Sequence, residues 1–184
     1  NPLNDGKQKL NYRVEGSEEW TSIDAKTTRK EFTTNGHKIA NINAVRLTGL
    51  TPDTTYEYQI GTEGAYSDTA KFATDKAGRT DSKFFIAGDI QDPNKDNLKK
   101  IVDVLGKDNY NFGVQIGDAI DNAADFDDWK EVGDLLGANS LGSTDMINIM
   151  GNHEYYGDAN ADIAAAMYNN PNTSEGGYYS VRYG

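Results

Sequence analysis

The sequence predicts a β sandwich followed by an α/β domain built from parallel βαβ units, and three observations carry that prediction. Residues 1 to 75 hold short runs in which apolar and polar residues alternate between turn residues, the pattern of half-buried strands. From Phe84 onward, three apolar segments each end in Gly and then an acidic or amide residue: Phe84-Phe85-Ile86-Ala87-Gly88-Asp89, Phe112-Gly113-Val114-Gln115-Ile116-Gly117-Asp118 and Met146-Ile147-Asn148-Ile149-Met150-Gly151-Asn152. Helical periods separate the segments, an arrangement that gathers a site in the crevice at the carboxyl ends of parallel strands.

In chain order, Leu10, Tyr12 and Val14 alternate, Trp20 follows the polar turn Glu15-Gly16-Ser17-Glu18, and Val45 and Leu47 alternate before a turn. Tyr56, Tyr58 and Ile60 then share a face, Gly61 to Ser67 reads as a hairpin loop, and Lys71 to Thr74 as the last strand of this region. A sandwich needs ~7 strands in ~100 residues and about five are legible here, so the chain is expected to begin inside its first domain. Asp75 to Ser82 is polar with no apolar period and reads as a linker. The predicted organisation is therefore 1–75, a linker at 76–82, and a second domain over 83–184.

Within that second domain, Leu98, Ile101, Val102 and Leu105 fall at i, i+3, i+4 and i+7, between the start signal Asp92-Pro93 and the stop Gly106. Phe126 to Leu136 is a second helix, with Trp129, Val132 and Leu136 on one face and Gly137 behind it. Ala159 to Tyr168 reads as a short helix closed by Asn169-Asn170-Pro171, and Tyr178 to Tyr183 as a strand.

The 184 residues carry a formal net charge of −11 and a pI near 4.5, which argues against a nucleic-acid backbone or an anionic membrane surface as partner. There is no cysteine, so a thiolate metal site is excluded. No apolar stretch reaches the ~18 residues of a membrane-spanning helix. Of the two histidines, His37 sits in the turn-like Asn35-Gly36-His37-Lys38 and reads as a solvated loop residue, which leaves His153 for chemistry.

One Gly-Asp after a strand is ordinarily a turn whose Asp caps backbone N–H groups, but turns have no reason to repeat at successive strand ends. At Gly88-Asp89-Ile90-Gln91, Gly117-Asp118-Ala119-Ile120-Asp121 and Gly151-Asn152-His153-Glu154 the sequence resembles the calcineurin-like metallophosphoesterases. Leu50 to Ile60 resembles the tyrosine-corner segment of fibronectin type III sandwiches. That module ahead of a metallophosphoesterase domain is the arrangement of the purple acid phosphatases and their bacterial relatives.

The resemblance implies phosphoester hydrolysis at a dinuclear centre of divalent or trivalent ions drawn from Fe, Mn, Zn or Mg, held in the N-terminal part of a metallophosphoesterase domain. It makes Asp118 the bridging ligand, Asp89 a ligand of the first ion and the Asn152 amide oxygen a ligand of the second. His153 is then not a ligand; it hydrogen-bonds the phosphate and protonates or stabilises the leaving oxygen. Two positions depart from the pattern. Gln91 stands where most of the family has a histidine ligand, and Asp121 where purple acid phosphatases carry a metal-bound tyrosine, so both are candidate oxygen donors.

The family also takes histidines from later motifs that this sequence lacks, so the chain reads as the front of a longer enzyme, binding metal poorly and inactive alone. The resemblance further implies a secreted or cell-surface bacterial protein acting on a phosphoester. A domain cut before its later strands is expected to self-associate through an exposed sheet edge. Gln91 and the missing histidines fit a second reading, a binding or scaffold protein that has kept the fold and lost catalysis. A carbohydrate-binding module would need exposed aromatic platforms, and Trp20, Tyr56 and Tyr58 read instead as core.

Overall fold

The computed structural model describes residues 7–91, 95–137, 140–171 and 178–183. By contact the chain clusters into two units: Asn1–Arg29 with Ala40–Thr80, and Lys30–Ile39 with Asp81–Tyr183.

The first unit is built from β1 (Lys9–Val14), β2 (Thr21–Asp24), most of the β3 (Lys26–Phe32) and β4 (Lys38–Ala44) pair, β5 (Thr55–Thr62), β6 (Ala65–Tyr66) and β7 (Ala70–Ala73). Its main sheet has the order β2-β1-β5-β6, with β7 also pairing β5, and every pairing is antiparallel. Leu10 lies opposite Ile60, Tyr12 opposite Tyr58 and Val14 opposite Tyr56, so the period-2 pattern places all six on one face. Tyr56 is buried there, stacked on Phe72 at 5.4 Å, and its hydroxyl accepts a hydrogen bond from the Thr51 N–H at 2.9 Å. Trp20 is half-buried under the Arg13 guanidinium, 4.2 Å from the ring centre.

Two sequence expectations shift. Val45 to Leu47 is not a strand; the strand is β4, which ends at Ala44 and pairs with β3. The sequence hid this hairpin because Lys26-Thr27-Thr28-Arg29-Lys30-Glu31-Phe32 carries almost no apolar signal, and pairing holds it as a strand in spite of that composition. The Gly61 to Ser67 loop contains the tight β5–β6 hairpin.

In the second unit, β8 (Phe84–Ala87), α1 (Asp96–Leu105), β9 (Phe112–Ile116), α2 (Phe126–Gly137), β10 (Asp145–Ile149) and α3 (Asp162–Tyr168) follow in sequence. The sheet is parallel with the order β10-β9-β8, in the registers Ala87↔Gln115 and Ile116↔Ile149. Leu98 and Val102 of α1 and Trp129 and Val132 of α2 are buried, and with Phe85 and Met146 of the sheet they line an apolar cavity of about 220 Å³. The expected start signal of α1, Asp92-Pro93, lies outside the described residues. The N-terminus of α2 is capped by Asp125, whose carboxylate accepts the Asp127 and Asp128 N–H groups.

On the opposite face of this sheet Phe84, Ile86, Ile116 and Ile149 are 45–60% exposed. Tyr178 to Tyr183, expected to be a strand, forms no ladder; its tyrosines instead hydrogen-bond strand-end carbonyls, Tyr179 to Asn148 and Tyr183 to Asn111.

Candidate active site

Parallel strands in these registers deliver the loops after β8, β9 and β10 to the same end of the sheet, and the backbones of those loops touch. The Asp89 N–H donates to the Gly117 carbonyl at 3.2 Å, and the Ile90 and Gln91 N–H groups donate to the Asp118 carbonyl at 3.0 and 3.1 Å. A β-carbon on Gly151 would lie 2.2 Å from Asp118 Oδ1, and one on Gly117 would lie 2.7 Å from Gly151 Cα. Asp89 and Asp118 both adopt the left-handed conformation, at φ 49° and 56°. That conformation costs roughly 1–3 kcal/mol for a residue with a side chain and persists where the surroundings impose it.

At Asp118 the backbone is held by Glu154, a residue to which motif spacing assigns no role. Its side chain is completely buried. Oε2 accepts the Asp118 N–H at 2.9 Å and the Gly151 N–H at 2.7 Å; Oε1 accepts the Ala119 N–H at 2.9 Å and the Tyr168 hydroxyl at 2.7 Å. Four donors match the lone-pair capacity of a carboxylate. One side chain therefore ties the β9 loop to the β10 loop and both to α3. Burial, then the bond to Glu154 and the charges of Glu154 and Asp118, push the Tyr168 phenol well above its ordinary pKa, so it stays a donor.

His153 is oriented by its neighbours. Its N–H donates to Asp118 Oδ1 at 2.9 Å. Its ring Nδ1 lies 2.8 Å from the Asp121 carbonyl, which can only accept, so Nδ1 carries the proton and Nε2 is the free nitrogen. The Asp121 carboxylate is 3.6 Å from the same Nδ1, so the structure brings Asp121 to the imidazole. The Asp121 N–H is in turn held by Asp128 Oδ2 at 2.6 Å, and Asp128 forms an ion pair with Lys95 in which both side chains are under 10% exposed. Asn152 donates through Nδ2 to the Tyr156 hydroxyl at 2.8 Å, which turns its amide oxygen the other way, and the Tyr156 ring lies 4.5 Å from His153. His37 is exposed and paired with Glu31 in the β3–β4 turn.

The calcineurin-like phosphoesterase model matches residues 82–182, more than half of the chain. The chain belongs to the calcineurin-like phosphoesterase family. Residues 1–74 match the purple acid phosphatase N-terminal domain. Among solved structures, one titled "Structure of PhoD" is similar in fold, with a TM-score of 0.50 at 14% identity; the match covers 91% of this chain and 39% of that one. The chain thus spans well under half the length of that neighbour. No curated protein matches it in sequence.

Members of the calcineurin-like phosphoesterase family use divalent metal ions, and the donors here fit such ions in kind. Gln91 Oε1 is buried without a hydrogen-bond partner among the described residues, an acceptor that a cation would satisfy. The Asp89 carboxylate is exposed and makes no hydrogen bond among the described residues, and Asn152 keeps its amide oxygen. Asp118 keeps an oxygen beyond the one that accepts the His153 N–H. All are hard oxygen donors, suited to Mg, Mn, Ca or Fe. Among the described residues no group of three or more His, Cys, Asp or Glu side chains gathers tightly enough to hold an ion.

Proposed function

We propose that this chain supplies the phosphate-handling half of a metal-dependent phosphoesterase site, and that the chain alone hydrolyses phosphoesters poorly. The observation that carries the reading is His153, fixed through Nδ1–H on the Asp121 carbonyl with Nε2 left over, while its backbone N–H is held by Asp118. In that tautomer Nε2 takes a proton from solvent, hydrogen-bonds a phosphoryl oxygen as the imidazolium and hands the proton to the leaving oxygen. Asp89, Gln91, Asp118 and Asn152 are the residues that would hold metal. Bound there, metal supplies a nucleophilic water at neutral pH and neutralises phosphoryl charge.

In this reading the first unit is a fibronectin type III-like sandwich, supported by the Thr51 to Tyr56 hydrogen bond, which resembles a tyrosine corner. The boundaries are 1–75 and 83–184 with a linker between, and the protein works outside the cell on a phosphoester, with no nucleic-acid or membrane partner. The exposed face of the β8–β9–β10 sheet supports self-association. A second reading, a scaffold without catalysis, draws on Gln91 and on the loose donor set.

The test is Mn²⁺ binding and p-nitrophenyl phosphate hydrolysis by this chain, with and without Asp118→Ala. Weak Mn²⁺ binding that Asp118→Ala abolishes, with little turnover, is the expected result. Absence of any Asp118-dependent binding would favour the scaffold, and robust turnover lost in Asp118→Ala would overturn the claim of poor activity.

A further inference from the structure

The loop that orients His153 is gripped by residues from far upstream. Lys30–Ile39, the tip of the β3–β4 hairpin, belongs by contact to the second unit, although residues 1–74 match the N-terminal domain of purple acid phosphatases. The Thr34 N–H donates to the Ala124 carbonyl at 3.0 Å, and the Thr34 hydroxyl donates to Asn122 Oδ1 at 3.2 Å. Phe32 is 1% exposed and meets Phe126 edge-on at 5.2 Å. Asn35 donates to Asp125, and Lys38 pairs with Asp127 at 2.5 Å.

Each of these partners lies within six residues of Asp121, whose carbonyl sets the His153 tautomer. On its other side the loop is closed by the Ala123 N–H donating to the Tyr156 carbonyl at 3.0 Å, and by Gly157, where a β-carbon would lie 2.4 Å from Asn122 Oδ1. A segment pinned from both sides has little freedom to let the Asp121 carbonyl turn away.

We propose that the hairpin tip is a positioning element of the phosphoesterase site: Thr34 and Phe32 hold the 121–126 loop so that the Asp121 carbonyl fixes His153 with Nδ1 protonated. The catalytic meaning of this rests on the function proposed above. The hairpin touches neither substrate nor metal and acts through the loop.

Two histidines make the test direct, because the ¹⁵N spectrum of the imidazoles of the 184-residue chain holds only His37 and His153. In the unsubstituted chain, without metal and above the pH where imidazole is charged, His153 is expected to show one tautomer, with a protonated Nδ1 and an unprotonated Nε2. Thr34→Val removes the hydroxyl and keeps the N–H, and should shift both His153 nitrogens toward the averaged values of a tautomer mixture. Thr34→Ser should restore them. Phe32→Ala should give the larger shift, and if it fails to fold, the threonine pair still decides. His37 reports that the hairpin itself persists. His153 resonances identical in the Thr34→Val and unsubstituted chains would overturn the proposal. Since no metal or turnover enters, that failure is separate from a failure of the phosphoesterase reading, which the Mn²⁺ assay detects.

Discussion

Replacing Glu154 by Gln tests whether one buried carboxylate assembles the site. Two donors converge on each of its oxygens, so an amide keeps acceptors for two and presents N–H groups to the other two. Hydrogen bonds to a charged group contribute about 1.5–3 kcal/mol each. Losing two predicts a destabilisation of about 3–6 kcal/mol, a large share of the ~5–15 kcal/mol that holds a typical domain folded. Urea unfolding followed by fluorescence is the assay, because Trp129 lies 5.5 Å from Tyr168 and reports this region. The midpoint should fall with the slope unchanged. Tyr168→Phe, which removes one of the four bonds, should fall by roughly half as much or less. If Glu154→Gln unfolds within ~0.5 kcal/mol of the unsubstituted protein, the scatter of a neutral surface change, the carboxylate does not organise these loops.

Two further outcomes are expected. Tyr168 has its folded-state pKa raised above the ordinary 10.0, so the stability it contributes is complete below pH 10.0 and is lost as pH rises beyond that value. Between pH 10 and 11 the unsubstituted chain should lose about 1 kcal/mol more than Tyr168→Phe in urea titrations, and equal losses would refute the assignment. Lys95→Met leaves Asp128 buried without its cation and should cost about 3–5 kcal/mol by thermal or urea unfolding; a change under ~1 kcal/mol would show that the pair carries no such weight.

The α/β half was legible because its signals are local. The apolar runs of β8, β9 and β10 and the helical periods of α1 and α2 each sit within one element, and the Gly-plus-oxygen endings mark where those elements stop. Asp89, Asp118, Asn152 and His153 could therefore be placed on strand-end loops from spacing and resemblance alone. The supporting shell was not legible. Tyr168 reaches Glu154 across fourteen residues and Thr34 reaches Asn122 across eighty-eight, distances over which no periodicity carries information. Asp121 was read as a metal candidate from its offset after Asp118, whereas its placement beside His153 depends on how the 121–126 loop folds back. The β3–β4 hairpin was missed for the opposite reason: its pairing is local, but β3 is so polar that it carries almost no apolar signal.

The backbone contact between Gly117 and Gly151 bears on which sequences this scaffold can explore. A methyl group at Gly151 would collide with the Asp118 carboxylate and with the Asp118 backbone nitrogen, and one at Gly117 with the Gly151 backbone; backbone atoms cannot step aside as a side-chain tip can. A β-carbon at Gly88 would meet mainly the Ile116 side chain, which can rotate. Saturation libraries should thus be nearly barren at Gly117 and Gly151 and more permissive at Gly88. Variation near these loops is channelled to positions such as Gln91, whose side chain can change without moving the crossing of the two loops.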